Sequence, residues 1–168
     1  MPVAVKGGIE LRKALRKFTP DLAKETQKEM ANLLKPITAK ARGFIPSNAP
    51  LSGWGKASVN ARWYWDGGAA KKGVSYRTTP SKPNRLGFIS LARIQNASMS
   101  GAIYETAGRK NPGGNFSPRL PNTLTGKGKM AGRAIFRAWS EDNGKTNAAV
   151  IKAVESSRNK FNAAVGRN

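Results

Sequence analysis

Glu105 is the only acidic residue between Asp66 and Glu141. It stands in GAIYETAGRKNPGG, between apolar neighbours and a Gly-rich basic turn. A carboxylate doing acid–base work needs a second positioned acid, and one holding a metal needs further ligands. Neither is at hand, because the chain has no His and no Cys and only 9 acidic residues in all. The missing His removes the usual general base, and the missing Cys removes the thiolate nucleophile. An enzyme is therefore not expected, nor is a cofactor or a metal. Glu105 reads instead as a buried or interface carboxylate paired with a cation, since an unpaired buried charge is costly. Arg109 and Lys110 are its expected partners, across a subunit boundary.

Three other groups of residues carry weaker signals. TGKGK, residues 125 to 129, lacks the spacing of a phosphate-binding loop and no strand leads directly into it, so it reads as a flexible basic loop. NAS, residues 96 to 98, matches a glycosylation acceptor by chance in a chain without a secretory signal. Arg62, Trp63, Tyr64 and Trp65 interleave aromatic faces with a cation, as single-strand nucleic-acid binding requires. The competing reading puts Trp63 and Trp65 on one apolar face of a strand, as core.

The charge balance frames these groups. Over 168 residues, 30 Lys and Arg give a formal net charge of +21. Such a chain is drawn to polyanions: nucleic acid, acidic protein surfaces or anionic lipid. The excess is diffuse along the chain, with none of the concentration on one helix or arm that marks a sequence-specific DNA reader. MPVAVKGGIELRKALRKF lacks the apolar core of a signal peptide, and no run approaches the ~18 apolar residues of a membrane span. A soluble chain, cytoplasmic when made, is expected.

The elements that position these residues follow from periodicity. The length predicts a single domain over residues 1–168. Leu11, Ala14, Leu15 and Phe18 recur at helical spacing, and Thr19-Pro20 then supplies an N-cap with Pro at the first helical position. In the second helix Leu22, Met30, Leu33, Leu34, Ile37 and Ala41 share a face, and Pro36 should kink the helix or end its regular part. ASVNARWYWDGG, GVSYRTTPSK and RLGFISLARIQN read as strands, with Asp66-Gly67-Gly68 as the turn of a hairpin into Val74 to Thr78. GAIYETAG is open between a helical turn and a strand end. Residues 109–132 form a long basic loop rich in Gly, Pro and Asn. RAIFRAW reads as a last strand, and Val150, Ile151, Val154, Phe161 and Val165 mark a C-terminal helix. The order predicts an α+β fold, a small antiparallel sheet packed against N-terminal and C-terminal helices.

Taken together, AKARGFIPSNAPLSGWGKAS after the N-terminal helix, Ile103-Tyr104-Glu105 with Gly108 before a long loop, and GRAIFRAW before a terminal helix resemble the tail-completion, or neck, proteins of long-tailed bacteriophages. The resemblance spans roughly Leu11 to Val165. It implies a virion protein without enzymatic activity, made in the host cytoplasm, that forms a hexameric ring between the head connector or adaptor and the tail terminator. Under it, the loops after Arg42 and Arg109 are the contact candidates, with Glu105, Arg109, Lys110, Arg119, Lys127 and Lys129 as the residues to watch. A passing contact with genomic DNA is implied too, and no membrane. The alternative is a nucleic-acid-binding protein using the diffuse basic surface and the Trp/Tyr cluster.

Overall fold

Thr19-Pro20 divides two helices, as the residue types predict. Helix α1 spans Gly8–Phe18 and helix α2 spans Pro20–Gly43. The Thr19 amide and hydroxyl both donate to the Leu15 carbonyl, at 2.8 and 3.4 Å, closing α1. Pro20 then starts α2 where no intrahelical amide is needed. The computed structural model describes residues 2–3, 7–54, 64–111 and 117–166.

The fold is α+β, with six α-helices and a small antiparallel sheet among the described residues. Strands β1 (Pro2–Val3), β2 (Val74–Arg77) and β3 (Ala92–Asn96) form a sheet in the order β1-β3-β2. β1 runs antiparallel to β3, with Pro2 opposite Arg93 and Val3 opposite Ala92. The other helices are α3 (Gly67–Gly73), α4 (Met99–Thr106), α5 (Ile135–Glu141) and α6 (Lys145–Val165).

The chain divides into two compact units. The first comprises Met1–Pro36, Tyr76–Ile94 and Gly144–Asn168. Its core is built from Leu15, Ala23, Met30, Leu34, Leu91, Val150 and Val154, all buried. The hydroxyls of Thr26 on α2 and Ser157 on α6 lie 2.7 Å apart inside it, and each is also within reach of a carbonyl one turn back; one donates to the other and that other donates to its carbonyl, so that neither buried hydroxyl is left unpaired. At its surface Asn84 folds residues 84–88 into a tight loop: its side-chain oxygen accepts from the Leu86 and Phe88 amides, both at 2.9 Å.

The second unit comprises Ile37–Ser75 and Gln95–Asn143. Ile37 and Ala41 from the end of α2, and Ile45 just after it, pack there with Trp54, Trp65, Tyr104, Leu120 and Ile135. Pro36 does not end α2, which continues to Gly43. The lost amide bond costs about 3 kcal/mol. Burial of Met30, Leu34, Ile37 and Ala41 on both sides of Pro36 offsets that cost.

Two expectations are corrected. Asp66-Gly67-Gly68 is no hairpin turn: Asp66 caps α3, accepting from the Ala69 amide at 2.7 Å, and Gly67 lies so close to the Pro46 and Ser47 carbonyls that a Cβ has no room. β2 therefore follows a helix, and its partner is β3: Ala97 donates to the Gly73 carbonyl at 3.0 Å. The apolar segment Arg133 to Trp139 is not a strand; from Ile135 it is α5, with the Arg137–Glu141 pair at helical spacing on its exposed side. GAIYETAG, open between two states, is helical and belongs to α4. The strand expected over ASVNARWYW falls mostly on residues 55–63, outside the described residues, and Tyr64 to Asp66 form no regular element.

Candidate functional site

Helix α4 begins where Ser98 accepts from the Gly101 amide at 3.0 Å. Asn96 braces this cap, accepting from the Ser98 amide and hydroxyl and donating to the Ala70 carbonyl at 3.2 Å. So short a helix has little stability of its own, and its last turn carries the groups that fix it, Tyr104 and Glu105, both buried.

Glu105 is 5% exposed and bonds to no cationic side chain among the described residues. Its Oε2 accepts from the amides of Ala134 at 2.8 Å and Ile135 at 3.0 Å, and its Oε1 from Phe136 at 2.9 Å. These are the orphan amides that open α5, whose own N-cap, Ala134, has no side-chain acceptor. The sole acid of this stretch thus supplies the cap and the negative charge that a helix N-terminus favours. The expected ion pair with Arg109 or Lys110 is not formed within the chain. Lys110 is exposed, while Arg109 donates from Nε to the Ala131 carbonyl at 2.5 Å and lies 4.9 Å from the Phe136 ring centre.

Arg133 completes the arrangement from the other side. It is 1% exposed, and its Nη1 donates to the Tyr104 carbonyl at 3.2 Å and to the Ala107 carbonyl. Its Nη2 donates to the Ser117 hydroxyl at 3.0 Å. A carboxylate from α4 therefore caps the start of α5, and a guanidinium beside α5 caps the end of α4. The two segments are locked reciprocally, each charge meeting the helix end of opposite polarity. Burial pulls the Arg133 guanidinium below its ordinary range, and the neighbouring Tyr104 and Glu105 oppose that pull. Gly132 is needed here because a Cβ would strike the Glu105 carboxylate, and Gly108, at φ 83°, because a Cβ would strike Ser117.

Tyr104 links this latch to its surroundings. Its hydroxyl donates to the Pro121 carbonyl at 2.7 Å, accepts from Asn122 at 3.0 Å, and lies 3.3 Å from the Phe44 carbonyl. Burial pushes the phenol up from its ordinary value. Asn122 also accepts from Arg137, which stacks 4.3 Å from the Phe44 ring centre and pairs with Glu141 at 2.9 Å. Lys40, at 2.8 Å, and Arg137 hold Glu141 below the usual carboxylate range.

The latch brackets the basic segment 109–132. Thr125 and Gly132 exchange backbone bonds at 3.0 and 2.8 Å, closing a small loop whose tip carries Lys127 and Lys129, both exposed. Arg119 is exposed as well, next to buried Ser117 and Leu120. Of the six candidate contact residues, Lys110, Arg119, Lys127 and Lys129 reach solvent, while Glu105 and Arg109 belong to the latch.

The stacking platform does not survive at Trp65, which is 7% exposed. Trp65 stacks on Trp54 at 6.1 Å and meets Tyr104 edge-on at 5.6 Å, so its faces are used inside the unit. Tyr64 is exposed, and Arg62 and Trp63 lie outside the described residues.

Two sets of residues escaped the sequence reading. Arg133 and Asn122 are essential to the latch; the signal for Arg133 was a lone Arg wedged between Gly132 and the apolar Ala134, Ile135 and Phe136. Arg42, Lys71 and Lys72 rim an open cleft of about 330 Å³ in the second unit. Arg42 is held there by Val74, whose carbonyl accepts from Nε at 3.0 Å and Nη2 at 2.7 Å. No sequence signal joined residues so far apart. Among the described residues no cluster of acids could hold a metal ion, and no helix is long and apolar enough to cross a membrane. Comparison with protein-family models, curated proteins and solved structures finds no match to this chain.

Proposed function

We propose that this chain is a non-enzymatic structural subunit of the phage neck, forming a hexameric ring that joins the head connector to the tail terminator in the virion. One observation carries the reading: Ile103 to Gly108 and Gly132 to Trp139, two of the three segments on which the resemblance rests, meet in one buried latch. The latch fixes both ends of a segment whose cations, Lys110, Arg119, Lys127 and Lys129, face outward. A fixed base with an exposed basic span suits docking against acidic rings, where complementary charge steers and registers the contact. Mixing the purified chain with the connector and the terminator should give a ring visible by electron microscopy and a discrete mass by light scattering. A chain that stays monomeric with both partners present refutes the proposal.

A second reading, nucleic-acid binding, is favoured by the cleft of Arg42, Lys71 and Lys72. Its signature is mobility-shift binding that persists at physiological salt and drops on Lys71→Ala with Lys72→Ala. Binding only at low salt reduces it to general charge attraction.

A further inference from the structure

Residues 84–88, in the first unit, form a loop clasped at two levels. The Asn84 amide donates to the Phe88 carbonyl and the Gly87 amide to the Asn84 carbonyl, both at 2.9 Å. The Asn84 side-chain oxygen holds the Leu86 and Phe88 amides. Gly87, at φ 74°, takes the left-handed position that closes a three-residue hairpin loop. Lower down, the Ser81 amide donates to the Ser90 carbonyl at 3.0 Å and the Ser90 amide to the Ser81 hydroxyl at 2.9 Å. Pro80 and Pro83 fix φ along the first arm.

Asn84 and Gly87 thus supply the geometry, and the fold makes no demand on the side chains of Arg85 and Leu86. Turn tips are ordinarily polar, yet Leu86 is 87% exposed and Phe88, two residues on, is 38% exposed. Lys82 and Arg85 flank them in solvent. Among the described residues no ion pair involves either cation, and no acid lies between Asp66 and Glu105 in the sequence. A stiff loop that holds an apolar side chain in water gains by burying it and gives up little freedom on doing so.

The charges select the occupant. A second copy brings the same +21 to the contact and is repelled. Nucleic acid offers the opposite charge but no apolar pocket for an aliphatic tip. A bilayer holds a whole myristoyl chain only marginally, and one leucine beside a part-exposed phenylalanine offers less apolar length. An acidic protein surface with an apolar pocket answers both the charge and the side chain. We propose that residues 82–88 are a docking knob for such a surface: Leu86 enters the pocket, the exposed part of Phe88 packs at its mouth, and Lys82 and Arg85 pair with carboxylates on its rim.

The identity of the partner rests on the neck reading, so binding to the purified connector and to the purified terminator is measured by titration calorimetry. The unsubstituted chain is compared with Leu86→Ser and with Lys82→Gln combined with Arg85→Gln. Losing the burial of one leucine should weaken binding to one of the two partners by about ten- to a hundredfold. The paired substitution should weaken the same contact and reduce its salt dependence, with the melting temperature of both variants unchanged. Affinities unchanged by Leu86→Ser, or unchanged by the paired substitution, overturn the docking knob and leave the ring reading standing. Should neither partner bind the unsubstituted chain, the ring reading fails, and carboxymethyl-β-cyclodextrin, an apolar cavity ringed by carboxylates, decides the knob. A saturable shift of the amide resonances of residues 82–88, weaker with neutral β-cyclodextrin and lost in Leu86→Ser, then supports it, and no such shift overturns it. In every case, Leu86-dependent sedimentation with vesicles of phosphatidylcholine and phosphatidylserine assigns the tip to a lipid surface and overturns the proposal.

Discussion

Glu105→Gln is nearly isosteric, so it changes acceptor chemistry without opening a cavity. The carboxylate receives three backbone amides on two oxygens. Glutamine has one acceptor oxygen. If that oxygen keeps the Ala134 and Ile135 amides, its NH2 group faces the Phe136 amide, donor against donor, in a buried setting. A bond to a charged acceptor is worth about 1.5–3 kcal/mol, and a buried donor left unpaired costs about 1–3 kcal/mol. The substitution should therefore destabilise by about 3 kcal/mol, or roughly 6–12 °C in melting temperature for a chain of this size. Urea unfolding followed by tryptophan fluorescence is a suitable assay, because Trp54 and Trp65 stack in the same unit as the latch. A loss below about 0.5 kcal/mol, the level of a neutral surface change, would show that Glu105 does not cap α5.

Other substitutions probe the same unit from different sides. Gly132→Ala places a methyl against the Glu105 carboxylate and should cost about 1–3 kcal/mol by overpacking, read by the same urea titration; an unchanged midpoint means the approach is looser than described. Trp65→Ala should cost about 3–5 kcal/mol, the range for a buried aromatic, and any loss of nucleic-acid binding should track unfolding; binding lost at full stability would restore Trp65 as a stacking residue. Tyr104 gives an alkaline signature. Its phenol is raised above its ordinary value by burial, so the unfolded chain releases that proton first. The stability it contributes is full below about pH 10 and is lost as pH rises through the folded value. Tyr104→Phe should flatten that limb between pH 9 and 11, and an identical slope in both chains counts against the assignment.

The helices at both ends were legible because each buries a long stripe: Leu15, Met30, Leu34, Ile37, Ala41, Val150 and Val154 all sit at helical spacing and all are buried. The centre was not, because α3, α4 and α5 are only 7, 8 and 7 residues long. At that length a helix and a buried strand show the same apolar pattern. What decides such segments is their caps, and two of the decisive caps are not local. Glu105 lies 29 to 31 residues from the amides it holds, a separation at which no window of sequence links donor to acceptor. The carboxylate itself stood out on the page, as an isolated acid in a basic chain. Its partners did not, because they are backbone amides, which leave no trace in residue type.

Using the one acid between Asp66 and Glu141 on a helix terminus leaves the cations of segment 109–132 without an acidic partner among the described residues, and this bears on assembly. Lys110, Arg119, Lys127 and Lys129 are exposed, and the chain as a whole carries +21. Copies of such a chain repel one another, so contact between identical subunits is opposed by charge at low ionic strength. Added salt screens that repulsion, with a Debye length of about 8 Å at 0.15 M. Contact with an acidic ring or with DNA is favoured by the same charges, and added salt weakens it. The two kinds of contact should therefore have opposite salt slopes. Sedimentation of the chain alone should show self-association rising between 50 and 500 mM salt, while its capture by the connector or terminator should fall over the same range. Replacing Lys127 and Lys129 with Gln should flatten the second slope, with folding stability changed by less than about 0.5 kcal/mol. Slopes of the same sign would mean that these cations do not face the partner, and the segment 109–132 would lose its place at the contact.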